Sequence, residues 1–244
     1  MHLIDKLVAA PPSIYNGAMS NDESILEAAV AAHLEGRFDD AETLYAQILA
    51  EDSENGEALH LMGMLCFQQG RADQAVDYYN RAVASNPAVA KYHGNLGTVL
   101  VMLGRYDEAV GHLEQALALD PSLAEIQNSL GAVYRDTDRM DDAVASFREA
   151  IRLDPAYAQA HANLAAVLLA QGNKADALIS ARGAVASDPE DLDARNILAA
   201  ALAESGFRED AEKELRHALE LAPDDPGTQR NLELLSEKPG VSDN

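Results

Sequence analysis

A seven-residue phrase, GRYDEAV at 104–110, returns through this chain at a fixed interval. It reads GRFDDAE from Gly36, GRADQAV from Gly70, DRMDDAV from Asp138, GNKADAL from Gly172 and GFREDAE from Gly206, each 34 residues after the last with no insertion or deletion. A strict period of this length argues against one compact core. It means one supersecondary element repeated, each copy burying its apolar face only against its neighbours.

The third copy shows what the element is. Before Gly104, Leu96, Val99, Leu100 and Leu103 recur at helical spacing; after it, Ala109, Val110, Leu113, Ala116, Leu117 and Leu119 do the same. Gly104 separates two helices because glycine accepts the left-handed conformation that ends the first. Asp138 takes its place in the fourth copy, and aspartate is among the few residues that tolerate that geometry. Acids follow each turn at once (Asp39, Asp73, Asp107, Asp141, Asp176, Glu209), and the reading has them capping amides and meeting the positive end of the second helix. Prolines at 87, 121, 155, 189 and 223 stand where the second helix stops and the next begins; the first unit has Ser53 there.

Two positions stay small. One is always alanine (Ala41, Ala75, Ala109, Ala143, Ala177, Ala211) and the other reads Gly63, Gly97, Gly131, Ala165 and Ala199. These are the places where the two helices of a unit must touch, so a leucine at Gly131 is expected to overpack the contact by roughly 1–3 kcal/mol.

The pattern resembles the tetratricopeptide repeat over residues 22 to about 235. The period, the Leu-Gly pairs at Leu96-Gly97 and Leu130-Gly131, the fixed alanine, the aromatics Tyr45, Tyr79 and Phe147 and the closing proline all agree. The aromatic expected at the fourth position is replaced by Leu59, His93, Gln127, His161 or Arg195, which softens single units. The resemblance implies an all-α fold: a right-handed superhelical solenoid of six tandem 34-residue helix-turn-helix repeats plus a C-terminal capping helix. The expected divisions are an N-terminal segment 1–21, repeats 22–55, 56–89, 90–123, 124–157, 158–191 and 192–225, a capping helix 226–238 and a disordered tail 239–244. Ser20 and Glu23 make a capping box for the first helix.

Composition narrows the function. With a net charge of −23 the chain is far too acidic to favour nucleic acid or an anionic membrane surface. No stretch approaches a membrane span, and Asp5 interrupts the first apolar run, so neither insertion nor a signal peptide is expected. The single cysteine, Cys66, sits in an apolar helix and reads as a buried inert thiol. The seven histidines include no HExxH and no i, i+4 pair; His93 and His161 share a packing position. No P-loop and no recognisable nucleophile setting is present. The expectation is a cytoplasmic protein that is not an enzyme, with no metal and no cofactor.

What the resemblance then implies is a binding groove lined by positions 2, 5, 6, 9, 12 and 13 of each unit. Read off, those positions give acidic ends and a middle of small, apolar and amide side chains. Asn95, Asn163 and Asn231 occupy the sixth position, 68 residues apart, and Asn128 and Asn196 the fifth position of the units between, again 68 apart. An amide donates and accepts, so it can pair with any peptide backbone. It can equally bond to the neighbouring helix and hold the units in register. A comparable ladder is known in the repeat domains of O-linked N-acetylglucosamine transferases, which this chain resembles, and there it holds extended polypeptide. Five such contacts at about 1 kcal/mol each give only millimolar to high micromolar binding. Side-chain pockets or avidity must add the rest. The peptide-binding candidates are Asn95, Asn128, Asn163, Asn196, Asn231, Thr98, Lys91 and Arg135. With only Lys91, Arg135 and Arg230 as basic groove residues, a neutral or basic extended segment is the expected partner, and an anionic one a poor candidate. The function so read is an interaction scaffold that binds such a segment. Two alternatives stay open: a substrate-recognition domain of, or partner to, a glycosyltransferase-type enzyme, and a scaffold that self-associates through its groove or its N-terminal segment, where Leu3, Ile4, Leu7 and Val8 line one side of a short helix.

Overall fold

The computed structural model describes residues 21–237. They form thirteen α-helices, and no strand occurs among the described residues. Six helix pairs follow one another: α1 (Asn21–Leu34) with α2 (Phe38–Glu51), α3 (Gly56–Gln68) with α4 (Ala72–Ser85), α5 (Ala90–Met102) with α6 (Tyr106–Leu119), α7 (Ala124–Asp136) with α8 (Met140–Leu153), α9 (Ala158–Ala170) with α10 (Lys174–Ser187), and α11 (Leu192–Glu204) with α12 (Arg208–Leu221). A single helix, α13 (Pro226–Glu237), ends the array. The expectations about residues 1–20 and 238–244, the Ser20 half of the capping box among them, lie outside the described residues.

Each pair turns on one left-handed residue. Gly104 has φ +71°, and Asp138, in the same place one unit on, has φ +61°. The acids after the turn do not cap amides. The residue that opens the second helix is Arg37, Arg71, Arg105 or Arg139, and none of these makes a side-chain cap bond. The acids lie within the first turn, where the helix dipole favours them, and Asp141 also accepts from Gln171 Nε2 at 3.0 Å. Three of the arginines instead reach an acid three residues on, in the pairs Arg37–Asp40, Arg105–Glu108 and Arg139–Asp142.

Packing within a unit follows the small positions. The six alanines are fully buried. A Cβ at Gly63, Gly97 or Gly131 would come within 2.7 Å of Tyr79, Leu113 or Phe147, so the second helix seats a large side chain directly on bare backbone. Between units, each first helix touches the next first helix, whereas second helices make at most marginal contact with one another. The helices therefore converge on the side of α1, α3, α5, α7, α9, α11 and α13, which makes that side the concave face. The apolar cores run on from unit to unit, the first reaching from Ala29 to Ala109 and the last from Ala165 to Leu215.

At three of the five fourth positions that lack the aromatic, and at Gln229 of the last helix, a hydrogen bond stands in its place. Nε2 of His93 donates to the Pro87 carbonyl (3.0 Å), Nε2 of His161 to Pro155 (3.1 Å), Nε of Arg195 to Pro189 (2.8 Å) and Nε2 of Gln229 to Pro223 (2.9 Å). In each case the first helix ties down the proline that closes the preceding unit. In these units a polar clamp stands where the ring is missing.

Candidate functional site

The asparagines bond to one another across unit boundaries. Asn163 Nδ2 donates to Asn128 Oδ1 (3.0 Å), and Asn231 Nδ2 to Asn196 Oδ1 (2.9 Å). Asn196 donates in turn to the Leu192 carbonyl and to the buried Thr228 hydroxyl. Asn95 has the same role at an earlier boundary, but its partner is His60: Asn95 Nδ2 donates to His60 Nε2 at 2.7 Å. Each pair joins position five of one unit to position six of the next. The 68-residue spacing thus marks every second boundary closed by a polar clasp, with His60 as the member whose residue type hid it.

The register role of these side chains is therefore direct, and it has a cost when removed. Asn163→Ala leaves the amide oxygen of the buried Asn128 without its donor, which is expected to destabilise by about 1–2 kcal/mol. A denaturant melt of the full chain measures it, and an unchanged midpoint would show that the clasp holds nothing. Loss of a partner from such a variant has to be read against its melt.

The other boundaries carry no clasp. Between the first two units positions five and six are Leu26 and Leu61, members of one apolar cluster; between the fifth and sixth they are Ala162 and Ile197, which also cluster. Between the third and fourth units they are Gly94 and Ser129, and here a hollow of about 270 Å³ opens on the concave face. Lys91, Gly94, Asn95 and Thr98 of α5 form one wall, and Glu125, Ile126 and Ser129 of α7 the other. Leu123 and Tyr157 close it from the connections that precede α7 and α9.

The structure gathers Lys91, Asn95 and Thr98 at this hollow and places the other candidates elsewhere along the face. Lys91 Nζ is held by both oxygens of Glu57, at 2.9 and 2.8 Å. Thr98 Oγ1 donates back to the Gly94 carbonyl. Arg135, further along, pairs with Asp136 (2.8 Å) and donates to Asn163 Oδ1 (3.3 Å). Both candidate cations of the middle groove are thus balanced from within. Burial, with the Glu125 charge adding to it, pushes the Tyr157 hydroxyl up to about 12, so it stays a neutral donor at the rim. Tyr157 and Leu123 were not among the groove candidates because they end their units, one residue before the helix whose positions line the face.

Cys66 is fully buried and burial raises its thiol, as expected. The His93 ring, protonated on the nitrogen that meets Pro87, accepts from His112 Nδ1 at 3.1 Å. Among the described residues no group of three or more His, Cys, Asp or Glu side chains could hold a metal ion, and no helix is long and apolar enough to cross a membrane.

Paired helices, turn glycines and a concave face joined boundary by boundary define a tetratricopeptide-repeat protein. Residues 3–234 match the model of the cilia and flagella-associated protein 70 C-terminal domain, and the chain belongs to that tetratricopeptide-repeat family. The match lends nothing to the narrower likeness to O-linked N-acetylglucosamine transferases. No curated protein matches the sequence. Solved structures share the fold at low identity. PilW, a widely conserved type IV pilus biogenesis factor, aligns with a TM-score of 0.79 at 18% identity over 88% of this chain and 100% of its own. A chain of the APC/C hetero-tetramer Cut9–Hcn1 aligns at 0.77 and 18% identity over 88% of this chain, which spans only 43% of that one. YrrB, described as a TPR protein with an unusual peptide-binding site, aligns at 0.61 and 21% identity over 78% of this chain and 97% of its own.

Proposed function

We propose that this protein is a non-enzymatic interaction scaffold whose concave face holds an extended polypeptide segment. The observation that carries the reading is the hollow between the third and fourth units, an apolar-walled recess with hydroxyl and amide groups at its rim; a second hollow of about 230 Å³ opens further along the same face beside Asn196, Ala200 and Asn231. The asparagines take a second role in it. Each position-six amide has two N–H groups, of which the clasp uses one. Asn231, the exposed member of its pair, and the half-buried Asn163 are the ones placed to offer the other to a passing backbone. The internal pairing of Lys91 and Arg135 disfavours an acidic segment, and a neutral or basic one fits. YrrB supports the general reading only as a fold relative with a peptide site of its own.

A photo-reactive benzoylphenylalanine tests this. It is placed at Thr98 on the concave face in one variant and at Ile179, 70% exposed on the second helix of its unit, in another. In native extract, Thr98 is expected to label a foreign polypeptide that Ile179 does not. Equal labelling from both positions, or from Ile179 alone, overturns the groove as the binding surface. Labelling only of a second copy of this chain would favour self-assembly.

A further inference from the structure

We propose that the His93–His112 pair of the third unit binds one divalent metal ion of the zinc type. Both rings ligate it through Nδ1 and water completes the sphere; the site stands apart from the groove reading above. The pair joins the first helix of its unit to the second. His93 is on α5 and His112 on α6, and their Nδ1 atoms are 3.1 Å apart. Two nitrogens, each about 2.0–2.1 Å from a zinc ion, stand about 2.9 Å apart at a right angle and about 3.3 Å apart at the tetrahedral angle. The two donors are thus already at the separation that a shared ion needs. What joins them without an ion is one proton, donated by His112 Nδ1 to His93 Nδ1.

The surroundings fix one ring and leave the other free to turn. His93 is 6% exposed, and its Nε2–H donates to the Pro87 carbonyl at 3.0 Å. That bond sets the tautomer, leaves the lone pair on Nδ1 and holds the ring, as a backbone carbonyl commonly does behind a metal-bound histidine. His112 is half-buried. Moving its proton from Nδ1 to Nε2 frees a second lone pair, so the ion replaces the shared proton and the rings release none. The other units show what is particular here. The fourth and twenty-third positions also meet in the sixth unit, where Arg195 and Glu214 pair at 2.6 Å and neutralise each other. In the fifth unit His161 makes the same bond to Pro155, but Ser180 stands at the twenty-third position and His161 Nδ1 is buried without a partner. The fold therefore sets position four beside position twenty-three, and in the third unit that pair is two imidazoles. Glu108, one turn earlier on α6, also acts on the His112 ring, but Arg105 holds both its oxygens, so the protein's share is two nitrogens. Such donors suit zinc, copper and nickel rather than the hard magnesium and calcium ions.

The test titrates zinc chloride into the metal-free full chain and follows the histidine rings in a long-range ¹H–¹⁵N NMR spectrum at neutral pH. Equimolar zinc is expected to shift Nδ1 of both His93 and His112 and to move the His112 proton from Nδ1 to Nε2. Magnesium should move neither ring. His93→Gln removes one ligand and keeps the clamp on Pro87, since Gln229 already ties Pro223 in this way. His93→Gln and His112→Ala should each weaken zinc binding about tenfold or more in titration calorimetry. Zinc bound to His112 with the proton still on Nδ1 would be surface coordination through Nε2, and it overturns the site. Zinc affinity unchanged in both variants overturns it as well, as do rings that excess zinc leaves unmoved.

Discussion

Phe147→Ala is expected to lower the stability of this array by about 3–5 kcal/mol, the usual cost of emptying a fully buried aromatic site. The ring belongs to α8 and rests on Gly131 of α7, so close that a Cβ there would sit 2.7 Å from two of its carbons. Gly131→Leu should therefore be destabilising for the opposite reason, by about 1–3 kcal/mol, because the added side chain has no room. Together the two changes compensate. With the ring gone, a leucine at 131 enters the space it left, and the double variant should be more stable than the sum of the singles by about 1–3 kcal/mol. Denaturant unfolding of the four proteins measures the coupling. Additive losses would mean that the two positions do not share one packing space. The resulting loss should spread beyond the fourth unit, since a repeat held only by its neighbours exposes their faces when it opens.

The packing of Gly131 on Phe147 could be read in the sequence because its cause is local and repeated. A small residue in each first helix recurs at one interval, with a large one in the second helix of every unit but the fifth, where Ala181 stands. The left-handed turn at Asp138 was legible for the same reason, being the one non-glycine in a column of glycines. The asparagines were half legible. Their 68-residue interval is visible in the chain, but Asn128 and Asn163 stand 35 residues apart, and nothing in composition says that one amide faces the other rather than solvent. His60 escaped because the pairing is conserved in role and not in residue type: an imidazole nitrogen accepts where Asn128 and Asn196 use an amide oxygen. The recess escaped because Leu123 and Tyr157, which close it, end their units and lie outside the positions that line the face. The mistaken role of Asp39 and its counterparts has a plain cause as well. An acid near a helix start can cap an amide or merely meet the dipole, and only backbone geometry separates the two.

Lowering the pH from 6.5 to 4.5 should cost the fold about 2.5 kcal/mol through His60 alone. The ring is 1% exposed, lies between Tyr79 and Tyr92, and accepts from Asn95 on Nε2, so its single proton is on Nδ1, which is buried without a partner. Burial first, and then the charge of Lys91, pushes its pKa down to about 3. The unfolded chain takes up a proton near pH 6.5, and the folded chain refuses it until about pH 3. Stability is therefore fully present above 6.5 and falls with pH across the interval, with a slope approaching one proton. His112, lowered by burial and by His93, acts in the same direction. The carboxylates lowered by arginine, lysine or hydrogen-bond partners, Glu108, Glu149, Asp120, Asp210 and Asp225, lose their contribution mainly below about pH 4.5, which leaves the interval to the histidines. The variant that isolates the effect is His60→Asn. An asparagine at position five is what the two later clasps already use, so Asn95 keeps an acceptor while the titrating group is gone. That variant should be less stable than the parent at pH 7, because the space between the two tyrosines is underfilled, yet lose markedly less stability on going to pH 4.5. Parallel curves for parent and variant would show that His60 is not the group that senses acid.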